Sequence, residues 1–506
     1  MRYKNAICMA FGFSTLSVVA PVRAQNPAVQ PEASQPQDGS KANIVEARSI
    51  TLHSARIGGR TIAYKAVAGT LTIRDDEGKP SASMFYVAYI ANRGDARRPL
   101  TFFYNGGPGS SSLWLHMGSF APRRVLFNGT QASSNPPHRM VDNDYSLLPQ
   151  SDLVFLDAIN TGYSRPLGDK APEAFLTADA DIDAFSRGIE RFLTVEDRWN
   201  SPKYLFGESY GTSRSAGVVS RLQKSGVQMN GLIQLGSILD ISRPFGKGDR
   251  AFIADFPTYA VTAAYHGKAP RRDDQAAFLQ ELRDWVEGPY ARALAKGNQL
   301  DSATRQDIAR QMAGYTGISA AFFVEHDLRV TGDQFRKKLL RERLQVVGEL
   351  DGRFLGDLSA SGTAGDFDPS WSFVFRPMIA EWNEYVRNDL KFETALLYRR
   401  AFPGAFGKFD FRRKNTTAFG YYGEDLADAM TENRNLKVYA LNGIYDFSTV
   451  FYGADFDYRH LRIPAAAVPN IRYFYYPAGH MAYVDEPTLR TMARDISEIY
   501  SDARPN

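Results

Sequence analysis

Ser209 stands in Gly207-Glu208-Ser209-Tyr210-Gly211, the one Gly-x-Ser-x-Gly pattern in a chain of 506 residues. A serine hydroxyl is a weak nucleophile at neutral pH. It needs a base, normally histidine, and an acid that orients that histidine. The pattern follows the apolar, β-rich Tyr204-Leu205-Phe206 and precedes a stretch of helical spacing from Tyr210 to Lys224. A strained turn between a strand and a helix lifts a serine hydroxyl above a sheet, and flanking glycines let the two elements approach. The same five residues could form a glycine-rich turn without catalysis; the strand before and the helix after favour the nucleophile.

Four histidines follow the serine: His266, His326, His460 and His480. The first two fall in a helical stretch away from the strands. His460 precedes the last predicted strand, whereas His480 follows it, in Pro477-Ala478-Gly479-His480-Met481, at the strand end where a base must stand. His480 is therefore the expected base. For the acid, spacing leaves two candidates open: Asp446, after the predicted strand Leu436 to Leu441, and Asp240, at the end of the strand before that. An oxyanion needs backbone donors, one from the residue after the nucleophile and one from a loop after an earlier strand. Tyr210 is the first. Asn105-Gly106-Gly107-Pro108-Gly109-Ser110-Ser111-Ser112, directly after the predicted strand Leu100 to Tyr104, is the source of the second. That loop lacks the Lys-Ser/Thr ending of a phosphate-binding loop and the spacing of a dinucleotide fingerprint.

Positioning these groups on one edge requires a mostly parallel sheet. Predicted strands at Thr61 to Ile73, Met84 to Ala91, Leu100 to Tyr104, Leu153 to Leu156, Tyr204 to Phe206 and Leu232 to Leu239 alternate with helical patterns at Asp179 to Trp199 and Tyr210 to Lys224. Strands resume at Leu436 to Leu441 and Ile471 to Tyr476. The expected class is α/β, an α/β-hydrolase fold with helices on both faces of the sheet and an inserted helical cap. Its expected parts are a core over residues 44–240 and 436–506 and the cap over 241–435, with helical patterns at Gln275 to Leu294, Ser302 to Met312 and Asp333 to Val347. The basic run Arg336-Lys337-Lys338 reads as the solvated face of a helix buried through Phe335, Leu339 and Leu344.

Composition narrows the function classes. Hydrophobic residues make up 44% and charged ones 23%, a globular balance that excludes a disordered or collagen-like chain. Arg2, Lys4, the apolar run Ala6 to Ala20 and Val22-Arg23-Ala24 have the layout of an export signal with cleavage expected after Ala24. The run is too short for a membrane span, and residues 25–43 read as a flexible linker. Lys and Arg number 60 against 56 Asp and Glu; three of the basic residues lie in the signal, so the remainder is close to neutral. Nucleic-acid binding loses its electrostatic footing. Cys8, the single cysteine, leaves with the signal, so neither a disulfide nor a thiolate metal site is expected. No cofactor, no metal and no stable membrane insertion are expected.

Together these segments resemble the serine carboxypeptidase family (peptidase family S10), and within it a bacterial-type exported member. The similarity runs from about Phe85 to Asp485, through Asn105 to Ser112, Asp157-Ala-Ile-Asn-Thr-Gly-Tyr-Ser164, Gly207 to Gly211, Asn442-Gly-Ile-Tyr-Asp446 and Gly479-His-Met481. The resemblance implies Ser209 as nucleophile, His480 as base, Asp446 rather than Asp240 as acid, and oxyanion donors from the amides of Gly107 and Tyr210. It implies that Asn105 and Glu208 bind the terminal carboxylate of a peptide substrate, Glu208 while protonated. The chain departs from the family in three ways. Ser110 replaces a common cysteine, Phe103 replaces a tryptophan as an apolar wall, and Ser119 stands where most members have a second glutamate. The implied activity is a periplasmic or secreted serine carboxypeptidase acting on peptides with a free C-terminus. The readings set beside it are an esterase or acyltransferase with the same triad, and a non-catalytic secreted binding protein.

Overall fold

Runs that are buried on both faces build the centre of the molecule, and runs that alternate build its edge. In the computed structural model, which describes residues 44–502 except 92–96, 128, 130–134, 246–247, 359–367 and 415–418, nine strands form one continuous path. They are β1 (Arg48–Ile57), β2 (Arg60–Arg74), β3 (Pro80–Ala91), β4 (Leu100–Tyr104), β5 (Asp152–Leu156), β6 (Lys203–Glu208), β7 (Gly231–Leu235), β8 (Lys437–Gly443) and β9 (Ile471–Tyr476). Their order is β1-β2-β3-β5-β4-β6-β7-β8-β9, and the two-residue strand Arg165–Pro166 pairs with β3. β1, β2, β3 and β5 pair antiparallel, while every pair from β5 to β9 is parallel.

Chemistry follows from that division. β1 exposes alternate residues, as an edge strand with one wet face does. β4, β5, β6 and β7 are buried throughout, as central strands covered on both sides must be. Successive side chains point to opposite faces, so Phe103 and Phe206 join one apolar cluster while Phe102, Tyr104 and Leu205 join the other. The second cluster holds the helices α2 (Ala178–Val195) and α3 (Tyr210–Lys224). β4 lies between β5 and β6, so the connections leave it in both directions. The crevice beyond the carboxyl ends of β4 and β6 is the place where such sheets bind ligands.

A third apolar cluster is built largely from residues 254–347, with Ile444, Val450, Phe451 and Tyr452 packed into it. Two later helices of the 241–435 stretch contribute instead to the clusters flanking the sheet: Pro369–Asn388 to one and Gly423–Glu432 to the other.

Three predicted elements end early, the first being the helix expected to reach Trp199, which stops at Val195. The strand expected to reach Leu239 stops at Leu235, because Gly236 turns the chain with a φ of 57°. The helix expected from Asp333 to Val347 stops at Leu339; Gln345–Val347 then pairs with Leu355–Asp357 as a hairpin. Phe335 and Leu339 are buried as expected, but Leu344 takes a left-handed conformation and is exposed, and Arg336 is buried, donating to the Val347 carbonyl. The local helical pattern yields here to the pairing of β-branched Val346 and Val347. The expected signal at 1–24 and linker at 25–43 lie outside the described residues.

Candidate active site

β6 ends at Glu208 and α3 begins at Tyr210, so Ser209 alone makes the turn. Its φ of 61° and ψ of −132° lie outside the ordinary regions for a residue with a side chain, a conformation that costs about 1–3 kcal/mol and persists only where surroundings enforce it. The enforcement is visible. The Ser209 amide donates to the Leu235 carbonyl at 2.9 Å, and the Thr212 amide donates back to the Ser209 carbonyl at 2.8 Å. Thr212 and Ser213 both donate hydroxyl hydrogen bonds to the Ile238 carbonyl, at 3.2 and 2.5 Å.

The glycine loop after β4 abuts this turn. A Cβ on Gly106 would collide with the amide nitrogens of Tyr210 and Gly211, so only glycine admits that approach. Gly107 is the exposed residue of an otherwise largely buried loop, and Tyr210 is buried. From there the loop is fixed by partners on other elements. Asp157 Oδ1 accepts from the Ser112 amide and hydroxyl, both at 2.8 Å, and from the Tyr398 hydroxyl at 3.3 Å. Burial pushes the Asp157 carboxyl up to about 6. The Ser111 amide donates to the Arg400 carbonyl at 2.9 Å.

His480, 5% exposed, follows β9, and Asp446 follows β8 with no exposure. The imidazole Nδ1 lies 2.7 Å from Asp446 Oδ2. Asp446 is held by its own turn: Oδ1 accepts from the amides of Ser448 and Thr449 at 2.8 and 2.9 Å, and Oδ2 from the Thr449 hydroxyl at 2.7 Å. Burial alone would lower the His480 pKa, but the Asp446 carboxylate, with Glu208 and Glu349, overcomes it and raises it. Gly236 brings the neighbouring strand end against this pair: a Cβ there would stand 2.9 Å from Thr449 Oγ1 and 3.1 Å from His480 Nδ1.

Asp240 is engaged elsewhere, bonding the Ser242 amide at 3.0 Å and Arg250 at 2.8 Å. The other histidines bond backbone carbonyls: His266 that of Gly352, His326 that of Phe322, and His460 that of Phe456.

Asn105 and Glu208 also meet. Asn105 Nδ2 donates to Glu208 Oε2 at 2.9 Å, and the Leu115 amide donates to Asn105 Oδ1 at 3.1 Å, which fixes the orientation of the side-chain amide. Glu208 is 1% exposed, and burial pushes its carboxyl up to about 7 against the pull of His480, Tyr483 and Asn105. Ser119 is buried and donates to the Leu115 carbonyl at 2.6 Å. Phe103 is a core ring, 4.8 Å from both Phe155 and Phe206. Among the described residues no group of three or more His, Cys, Asp or Glu side chains could hold a metal ion, and no helix is long and apolar enough to cross a membrane.

Sequence reasoning missed three supports. Arg214 on α3 has a fully buried side chain; it bonds Asp181 of α2 at 2.7 Å, donates to the Asn105 carbonyl at 2.6 Å and lies over the Phe185 ring. Asp351 accepts from the Gly479 amide at 3.0 Å, beside the His480 amide bond to the Leu350 carbonyl at 2.6 Å. Tyr483 donates to Glu208 Oε2 at 3.0 Å. A buried charge demands a partner, so an arginine five residues beyond the serine was a usable signal; the other two carry none.

Sheet order, crossing connections and the serine turn at a strand end define an α/β-hydrolase. In Kex1Δp, a prohormone-processing carboxypeptidase from Saccharomyces cerevisiae, the same fold is matched with a TM-score of 0.55 at 15% identity, over 87% of this chain and 91% of that one. The serine carboxypeptidase family model matches residues 59–239. Among curated relatives, serine carboxypeptidase-like 13 of Arabidopsis thaliana is 23% identical over 177 residues, 33% of this chain and 38% of its own length. Carboxypeptidase Y homolog A of Phaeosphaeria nodorum is 26% identical over 136 residues, 27% of this chain and 23% of its own length. The chain thus aligns with well under half the length of these relatives, and the matched family segment contains Asn105, Glu208 and Ser209 but neither Asp446 nor His480.

Proposed function

We propose that the protein is an exported serine carboxypeptidase that removes the C-terminal residue of peptides. The observation that carries this is the meeting of two separate constellations at one sheet edge. One comprises the strained Ser209 at the end of β6 and, after β8 and β9, the His480–Asp446 pair, 2.7 Å apart; the other is the buried Asn105–Glu208 pair at 2.9 Å. A hydrolase acting on esters in general has no use for the second.

In this reading the Ser209 hydroxyl attacks the last peptide carbonyl while His480 takes its proton, and Asp446 holds the imidazole and stabilises its charged form. The amides of Gly107 and Tyr210 receive the developing oxyanion. The C–N bond breaks, the leaving amine takes the proton from His480, and the C-terminal amino acid departs. Water, deprotonated by the same histidine, releases the acyl group and restores Ser209. Glu208 with its proton, and Asn105, hold the substrate's terminal carboxylate.

The test compares wild type with Ser209→Ala on blocked dipeptides whose C-terminus is free or amidated. Release of one amino acid from the free form only, lost in the variant, is the expected result. Equal cleavage of both forms would point to an esterase or endopeptidase, and failure to label with a fluorophosphonate would point to a binding protein. Export rests on Arg2, Lys4 and the apolar run from Ala6; N-terminal sequencing of protein recovered outside the cytoplasm should begin at Gln25.

A further inference from the structure

Two side chains donate to Glu208. Besides Asn105 Nδ2, the Tyr483 hydroxyl reaches Oε2 at 3.0 Å, while its approach to Oε1 is longer, 3.3 Å. Both strong donors therefore converge on a single oxygen. A carboxyl group whose Oε2 accepts twice carries its acid proton on Oε1, so the pair selects which oxygen can donate.

The chain makes room for this hydroxyl. Tyr483, 1% exposed, lies against Gly118, where a Cβ would stand 2.7 Å from its ring. Ser119, which the resemblance sets where most of the family has a second glutamate, is occupied with the Leu115 carbonyl. The groups facing Glu208 are Asn105 from the loop after β4, Asp446 from the loop after β8, and His480 and Tyr483 from the loop after β9. Of these, Tyr483 and Asn105 donate to it.

We propose that Tyr483 is a positioning residue for the terminal carboxylate of the substrate: its hydroxyl, with Asn105, locks Glu208 so that Oε1 presents the acid proton. A phenol does this without a second acid having to share a proton. The role rests on the carboxypeptidase reading and deepens it.

The experiment uses Tyr483→Phe, which keeps the ring against Gly118, on a blocked dipeptide with a free C-terminus and on the corresponding ester, which lacks a terminal carboxylate. Losing one hydrogen bond to the protonated carboxyl is expected to raise KM for the free peptide about fivefold, with kcat and ester hydrolysis within about twofold. The pH at which free-peptide activity falls relative to the ester should move up, because a donor that stabilised the anion is gone. Fluorophosphonate titration of Ser209 confirms that the variant is folded and competent. Equal losses on both substrates, or no change in KM and no shift in that pH, overturn the role of Tyr483 while leaving the parent reading intact. Wild type that does not distinguish the two substrates overturns both.

Discussion

Ser209 reaches its place through contacts made largely within the stretch from β4 to β7, whereas the His480 loop is held by the stretch inserted between β7 and β8. On the first side, Gly106 lies against Tyr210, and Arg214 of α3 bonds Asn105, in the loop after β4, and Asp181 of α2. On the second, the Leu350 carbonyl and the Asp351 carboxylate of the inserted stretch receive the His480 and Gly479 amides. The Ser209 turn is held by the elements of the sheet and its flanking helices, the His480 loop by the inserted stretch. The two sides should therefore fail differently: substitutions on the serine side cost stability along with activity, and substitutions on the histidine side cost activity first.

The largest effect that tests this is at the acid. Asp446→Asn keeps the turn to Ser448 and Thr449 in outline but removes the charge that raises the His480 pKa and fixes its tautomer. A loss of about 10⁴-fold in kcat is expected, read on any substrate the wild type cleaves, with little change in melting temperature. A drop of only tenfold would mean that another group orients the imidazole.

Much of this was legible beforehand for a physical reason. α3 and β9 occupy the ranges their residue patterns foretell, Tyr210–Lys224 and Ile471–Tyr476. Ser209 and His480 stand out because a glycine-flanked turn and a strand end leave marks in sequence, whereas Asn105 and Glu208 stand out only through the family resemblance. The Asp446/Asp240 choice was open from spacing, since both follow strands on the same edge; only the bond to His480 separates them in space. Asp351 and Tyr483 were invisible, because each acts on a loop distant in sequence and neither belongs to a periodic pattern. The hairpin at Gln345–Val347 was hidden by a helical pattern that tertiary pairing overrode.

Asp351→Ala sharpens the histidine side. It leaves the Gly479 amide without its acceptor and removes the 2.7 Å ion-pair partner of Arg353, which keeps the Pro477 carbonyl at 2.7 Å and Asp485 at 3.6 Å. Small displacements of a catalytic group cost rate steeply, so kcat should fall between about tenfold and a hundredfold. Serine-side Arg214→Met, by contrast, strands Asp181 in the interior and should destabilise the fold by about 3–5 kcal/mol, seen in denaturant unfolding. If Asp351→Ala unfolds as readily as Arg214→Met, the contrast between the two sides is lost.

A pH series is the next smaller effect. Glu208 is protonated below about 7 and can donate to a substrate carboxylate; above that pH it is anionic and repels one. The ionisation of His480 enters peptide and ester hydrolysis alike and cancels in their ratio. The ratio of kcat/KM for a free peptide to that for an ester should therefore be flat in acid and decline above pH 7, by at most about tenfold per pH unit. A flat ratio from pH 5 to about pH 9 would remove Glu208 from carboxylate recognition.

The smallest effect belongs to Asp240→Asn, and its smallness is the point. Asp240 lies at the same sheet edge as Asp446, but its carboxylate is committed to Ser242 and to Arg250, whose side chain is 38% exposed and also pairs with Asp457 at 2.6 Å. The amide keeps the shape and one acceptor, and Arg250 keeps Asp457, so the lost charge pair is discounted by solvent to about 1 kcal/mol or less. The expected result is kcat and KM within about twofold of wild type on every substrate, alongside the much larger collapse in Asp446→Asn. Two aspartates at one sheet edge would then differ by several orders of magnitude in rate because one faces an imidazole and the other an arginine. Comparable losses in both variants would mean that position at the sheet edge, rather than the bond to His480, governs the acid's contribution.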